Sequence, residues 1–291
     1  MICNLCPRKC NAERSNDAAS GFCGCSAEMK VAKIAPHLWE EPCISGTEGS
    51  GTVFFSGCTL GCVFCQNREI SRGGTGREVT IEHLADIFKR LEGQGVHNLN
   101  LVTPTHFTPQ ILQALELSKP TVPVVMNCGG YERVETLRQW EGKVQVYLPD
   151  LKYFSPELSA KYSAAPDYFA VASKAIMEMH RQQPQLVWKG DLLKSGLIIR
   201  HLVLPGCMKD SLQILDFLDN HLPKDSFLLS LMSQYTPTEN CKQFPEINRR
   251  VTTYEYRKVA DRAAELGFSG FAQDRRSAKE EYTPPFNLEG V

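Results

Sequence analysis

The sequence predicts an α/β protein with a parallel sheet, preceded by a cysteine-rich segment. Two observations carry this. From Gly51 onward short apolar runs alternate with longer amphipathic stretches, and nine of the twelve cysteines lie before residue 66. The apolar runs are 52–56, 98–103, 122–127, 144–149, 197–204 and 227–232, each of strand length. The stretches 80–91, 108–117, 132–140, 167–181 and 210–222 carry a helical period. Strands separated by helices run parallel, because the helix supplies the crossover that a parallel pair requires. The pattern fits an open doubly wound sheet or a full or partial barrel. In either architecture ligands sit beyond the carboxyl ends of the strands.

Local signals support the helices. Thr80 and Asp167 are expected N-caps, Pro109 follows Thr108 at a first helical position, and Gly95 and Gly267 stand where helices should stop. A further helix is expected from about Thr253 to Leu266. Residues 1–50 show little periodicity and read as a separate metal-binding segment, 51–252 as the main unit, and 253–291 as a C-terminal helix and tail. In that tail Tyr282-Thr283-Pro284-Pro285-Phe286-Asn287 is expected to pack across the sheet.

Net charge is −1, with no long run of one sign, which argues against a protein built mainly to bind nucleic acid or an anionic membrane. No apolar run has membrane-spanning length, and the start Met1-Ile2-Cys3-Asn4-Leu5-Cys6 lacks the apolar core of a signal peptide. A cytoplasmic protein is expected. In a reducing compartment clustered cysteines point to metal rather than disulfides.

The loop after the first strand reads Gly57-Cys58-Thr59-Leu60-Gly61-Cys62-Val63-Phe64-Cys65, a C-x3-C-x2-C spacing. Glycines let backbone wrap closely around a cluster. Three thiolates hold three irons of a cubane, one ligand short of the usual four, so the fourth iron is open to a ligand that is not protein. A zinc site completed by another residue and a small electron-transfer cluster are the alternatives. Cys3, Cys6, Cys10, Cys23 and Cys25 form C-x2-C-x3-C-x12-C-x-C. Four of these five suffice for a second site, either structural zinc or a second iron–sulfur cluster; free thiols are the third reading. Cys43, Cys128, Cys207 and Cys241 read as small buried hydrophobes.

The stretches Cys6-Pro7-Arg8-Lys9-Cys10, His37-Leu38-Trp39-Glu40-Glu41-Pro42, the cysteine loop, 98–106, 147–153, 200–206 and 231–237 resemble the radical S-adenosylmethionine (SAM) superfamily. Within it the chain is most similar to the PflX-type proteins related to pyruvate formate-lyase activating enzyme. The resemblance implies a partial (β/α)6 TIM-type barrel of the radical SAM type. It also implies a 4Fe-4S cluster on Cys58, Cys62 and Cys65, SAM on the open iron, and reductive cleavage to a 5′-deoxyadenosyl radical that takes hydrogen from a substrate. Flavodoxin or ferredoxin would donate the electron.

By the same resemblance Phe64 lies near the adenine, and Asp150-Leu151-Lys152 matches a D-x-K that touches SAM. Val146, Leu148, Asp150 and Lys152 share one strand face, the apolar pair filling the barrel and the charged pair reaching its top, unless they are a surface ion pair. Arg200 lies within an apolar strand and needs a partner, either SAM or a neighbouring strand. His201 faces the other way, as a packed histidine. Asn127 and Gln234 fall near strand ends, to bond SAM or cap loops. The activating enzymes carry Gly-Gly-Glu after the second strand, where this chain has Thr103-Pro104-Thr105-His106. Thr105 and neutral His106 are expected to accept from the SAM amino group instead. Glu40 and Glu41 read as solvated turn residues. The substrate stays open: a glycyl radical enzyme or peptide, a small molecule, or none, in an iron–sulfur electron-transfer or interaction protein without SAM turnover.

Overall fold

The computed structural model of the chain describes residues 2–15, 19–273 and 284–291. A short antiparallel pair, β1 (Ile2–Cys3) and β2 (Ala12–Glu13), opens it. The main sheet contains β3 (Met29–His37), β4 (Ser50–Phe55), β5 (Arg77–Val79), β6 (Leu99–Val102), β7 (Val124–Cys128) and β8 (Val146–Pro149). It continues with β9 (Val187–Lys189), β10 (Leu192–Leu202), β11 (Leu228–Met232) and β12 (Gly270–Ala272).

The six expected apolar runs are β4, β6, β7, β8, β10 and β11, adjacent in that order and all parallel. One face of the sheet gathers Val125, Val146, Leu148, Ile198 and Leu228 into a single cluster with Cys43, Ile44 and Leu193. Side chains from β7 to β11 meet there only because the sheet curls around them. The order ends at β12 on one side and β5 on the other, so this is a partial barrel; among the described residues no pairing joins the two ends. The outer face packs on helices Ile81–Gly93, Thr108–Ser118, Tyr168–Gln182 and Met208–His221.

Several elements differ from expectation. Residues 29–37 were expected to lack periodicity, yet β3 runs antiparallel along β4 and shields the edge of the parallel sheet. Met29, Val31, Ala32, Lys33 and Ile34 are all buried, and a strand covered on both faces loses its period of two. Thr80 caps its helix through the His83 amide, as expected. Asp167 makes no cap bond; its carboxylate accepts from the Tyr131 hydroxyl at 2.6 Å. Residues 132–140 shorten to Val134–Leu137 and a 3-10 turn, Arg138–Trp140. The helix Pro156–Ser163, capped by Ser155, was not anticipated. The C-terminal helix, Thr253–Glu265, begins with a Thr252/Glu255 capping box.

The tail crosses β3 and β4. Phe286 meets Phe54 edge-on at 5.4 Å, and Glu289 pairs with Lys33 at 2.6 Å. Tyr282 and Thr283 lie outside the described residues. No helix among the described residues is long and apolar enough to cross a membrane.

Candidate functional site

The cysteine loop leaves the carboxyl end of β4 through Gly57, whose φ is +86°. A Cβ there would stand 2.2 Å from Cys25 Sγ, so the position needs glycine for both conformation and space. Beyond it Cys58, Cys62 and Cys65 line a cavity of about 250 Å³. The Leu60 amide donates to Cys58 Sγ at 3.3 Å and the Ser163 hydroxyl to Cys62 Sγ at 2.9 Å. Cys65 Sγ lies 3.5 Å from the Ser71 hydroxyl. Burial pushes the Cys58 thiol up to about 12 and raises that of Cys62. Hydrogen-bond donors aimed at sulfur are what thiolate ligands of an iron–sulfur cluster use, so these residues fit one. Among the described residues no three His, Cys, Asp or Glu side chains converge as around a single ion. A cubane holds its thiolates at separate corners, further apart than one ion does.

The same cavity is walled by Phe64, Asn127, Asp150, Lys152, Arg200 and Gln234. Asp150 takes Lys152 on one oxygen at 2.5 Å and Arg200 on the other at 2.9 Å. Burial alone would raise the Asp150 carboxyl, but Arg200 and Lys152 outweigh it and hold it below the usual range. Burial lowers Lys152, and the Asp150 carboxylate more than compensates, placing it at about 12. Arg200 reaches on to Asn127 Oδ1 at 2.5 Å and to Glu40 at 3.4 Å. Arg200 thus bridges neighbouring strands, and it also lines the cavity. His201, on the other face, bonds the Leu151 carbonyl and the Ser211 hydroxyl, and burial lowers it to about 4.

Two expectations are corrected here. Glu40 is not solvated: its side chain is 9% exposed and accepts from Asn100 at 3.0 Å and Asn127 at 3.2 Å. Glu41 is buried beside it, and burial raises both carboxyls although Arg200 opposes this. Thr105 and His106 do not line the cavity. The Thr105 hydroxyl donates to Glu132 at 2.5 Å, and the His106 ring bonds the Ser56 carbonyl at 2.7 Å. Thr103 lines the cavity instead, with φ +58°.

Cys3, Cys6, Cys10 and Cys23 line one small pocket with Arg14 and His106. Cys25 turns its thiol to the carbonyls of Cys23 and Ser56, 3.5 Å from each. Cys43, Cys128, Cys207 and Cys241 are buried in apolar clusters, as expected.

The family model described as the radical SAM superfamily matches residues 52–186, from β4 to just before β9. The uncharacterized protein MJ0674 of Methanocaldococcus jannaschii is 30% identical over 273 residues, which cover 90% of this chain and 74% of that protein. Among solved structures, Streptococcus suis SuiB bound to precursor peptide SuiA aligns at 12% identity and TM-score 0.48, over 76% of this chain and 48% of SuiB. The chain thus spans about half the length of SuiB. A domain of pyruvate-formate lyase-activating enzyme from Bacteroides vulgatus aligns at 16% identity and TM-score 0.38, over 67% of this chain and 91% of that one. A C-x3-C-x2-C loop at the head of a parallel β/α sheet, together with the family match and the relative aligned over 90% of this chain, shows that this chain belongs to the radical SAM superfamily.

Proposed function

We propose that the chain holds a 4Fe-4S cluster on Cys58, Cys62 and Cys65, binds SAM against Asp150, Lys152 and Arg200, and abstracts hydrogen from a substrate. The observation that carries this is convergence: three loop cysteines, Asp150 and Lys152 from the end of β8, and Arg200 from β10 wall one cavity. When bound, the cluster and SAM supply one-electron cleavage of the sulfonium to a 5′-deoxyadenosyl radical. The chain's own residues do the rest. Lys152 and Arg200 offer charged donors to the SAM carboxylate, and Asp150 orients both. Phe64, Leu60, Leu202 and Met232 supply apolar wall that excludes water. Cys3, Cys6, Cys10 and Cys23, which line one small pocket, would be the ligands of a second iron–sulfur cluster, since among the described residues no three of them converge as a zinc ion requires.

The substrate reading has two forms. An activating-enzyme role would take the hydrogen from a glycine of a partner protein, with flavodoxin or ferredoxin as electron donor; the sheet ends at β12 with no further strand among the described residues, which supports room for a backbone segment. A small-molecule role is supported by a second chamber beside the first, with a buried acidic wall. The test is metal and sulfide content of anaerobically reconstituted protein, followed by 5′-deoxyadenosine formation with dithionite. A Cys58→Ala/Cys62→Ala/Cys65→Ala variant should abolish product, and the metal it retains would identify the N-terminal site. An intact cluster that yields no 5′-deoxyadenosine would move the chain to the electron-transfer reading. A glycyl EPR doublet on a candidate partner would select the activating role.

A further inference from the structure

The second chamber, about 240 Å³, adjoins the first: Asn127, Arg200, Met232 and Gln234 are among the residues that line both. Its walls are aromatic and acidic: His37, Trp39, Phe54 and Phe271 stand with Glu40 and Glu41. The two carboxylates differ. Glu40 is occupied by Asn100, Asn127 and Arg200. Glu41 is 9% exposed, and among the described residues nothing donates to its Oε2. A buried carboxylate oxygen without a donor is costly and rare.

Charge points the same way. Arg200 pairs with Asp150 and Glu40, and Lys152 pairs with Asp150. Three carboxylates thus share two cations; Glu41, on the chamber wall, forms no ion pair of its own among the described residues, although the Arg200 charge reaches it. The Ser230 hydroxyl meets its carboxyl but brings no charge.

We infer that this chamber seats the substrate of the radical reaction by a primary ammonium group on Glu41 Oε2, between the aromatic walls. The inference rests on the radical SAM reading and names the substrate class for it. One free oxygen suits an ammonium, a compact charge with three donors; a guanidinium fork calls for two oxygens. Aromatic faces attract the same cation. The rest of the substrate then extends past Arg200 and Met232 toward the cysteine-lined cavity. A free alkylamine and a lysine side chain present the same chemistry.

The experiment uses reconstituted holoprotein with SAM. Binding of butylammonium, of its neutral isostere butan-1-ol, and of terminally blocked Gly-Lys-Gly is measured by ligand-observed NMR. A charge-assisted bond at a buried site should favour butylammonium or the peptide over butan-1-ol by about ten-fold or more. Glu41→Gln should lose about the same factor. Preference for the amine marks a small-molecule source and preference for the peptide a protein one. Equal binding of cation and alcohol by the wild-type protein would overturn the seat and needs no variant. Folded Glu41→Gln with undiminished ammonium binding would overturn it too. 5′-Deoxyadenosine is assayed on the same samples. Product formed without charge discrimination sinks this inference alone. Discrimination without any product sinks the radical reading, and with it the claim that the seated amine is a radical substrate.

Discussion

Arg200→Met removes the guanidinium that ties β7, the end of β8 and the turn after β3 to β10. It donates to Asp150 at 2.9 Å, to Asn127 at 2.5 Å and to Glu40 at 3.4 Å. At an effective dielectric of about 20 each ion pair carries roughly 5 kcal/mol of attraction, which desolvation of the ions largely offsets. The net value of the pairs is therefore small, but the value of deleting one partner is not. Without Arg200, Asp150 keeps only Lys152 and Glu40 loses its ion pair, and breaking a buried pair costs about 3–5 kcal/mol. Arg200 and Asp150 each retain 15% exposure, which favours the lower end, about 3 kcal/mol. The penalty should have a pH signature. In the native protein the Asp150 carboxyl is held below its ordinary value, so its contribution is present above that value and lost as pH falls through the folded one. In the variant the stranded carboxyls take up protons instead, so the penalty shrinks toward pH 5 and grows toward pH 8. Urea unfolding at both pH values measures it. Adding Glu40→Gln removes one stranded charge and should recover about 1–2 kcal/mol. A pH-independent loss, or strictly additive effects in the double variant, would refute the view that these residues act as one electrostatic unit.

Gly57→Ala places a Cβ 2.2 Å from Cys25 Sγ at a φ of +86°. It should cost about 2–4 kcal/mol and lower the iron retained per chain; full iron with an unshifted thermal midpoint would contradict this. Thr103 is β-branched at φ +58°, so Thr103→Asn should stabilise by about 1 kcal/mol in denaturant unfolding, and a loss would show that the hydroxyl has a structural partner. His201 is held neutral, at about 4, whereas the unfolded chain binds a proton near 6.5. The unfolded state therefore binds more protons between those values, and about 3 kcal/mol of stability disappears as pH falls through that window. His201→Gln should flatten this slope whatever it does to absolute stability; an unchanged slope would assign the effect elsewhere.

The parallel strands were legible because burial on both faces turns each into a short continuous apolar run. β3 is buried the same way and was not legible. Its run is broken by Lys30 and by the buried Lys33, which the fold tolerates because the tail comes back to it, with Glu289, 256 residues on, pairing with its ammonium and the Pro285 carbonyl accepting from it. The cysteine loop was legible because its ligands are local in sequence. Glu40 was not, because its partners Asn100, Asn127 and Arg200 lie 60, 87 and 160 residues away. A usable signal existed: three polar side chains on inward strand faces, one of them a cation, require a carboxylate from somewhere. Thr105 and His106 failed for a backbone reason. The left-handed turn at Thr103 carries the chain down behind the cavity, so the next side chains bond Glu132 and Ser56 instead.

The N-terminal cysteine-rich segment, read from sequence as a separate unit, touches the loop that carries Cys58 and Cys62. Arg8 donates to the Thr59 carbonyl at 2.9 Å and to Ser163 at 3.2 Å, and lies 3.7 Å over the Phe22 ring. Arg72 approaches the same ring from the barrel side, bonding the Phe22 carbonyl at 2.6 Å and the Leu60 carbonyl at 3.0 Å. One aromatic ring between two arginines thus clamps the segment onto the loop that carries Cys58 and Cys62. Arg8→Ala removes donors from carbonyls on both sides of the clamp. The global cost should be modest, about 1–2 kcal/mol, because these bonds are only partly buried. The local consequence should be larger, since the loop then opens without global unfolding. Iron release to a chelator should accelerate several-fold in Arg8→Ala while the unfolding midpoint moves little. Equal release rates would mean that β4 and the Gly57 turn hold the loop unaided, and that the N-terminal segment is the appendage its sequence suggested.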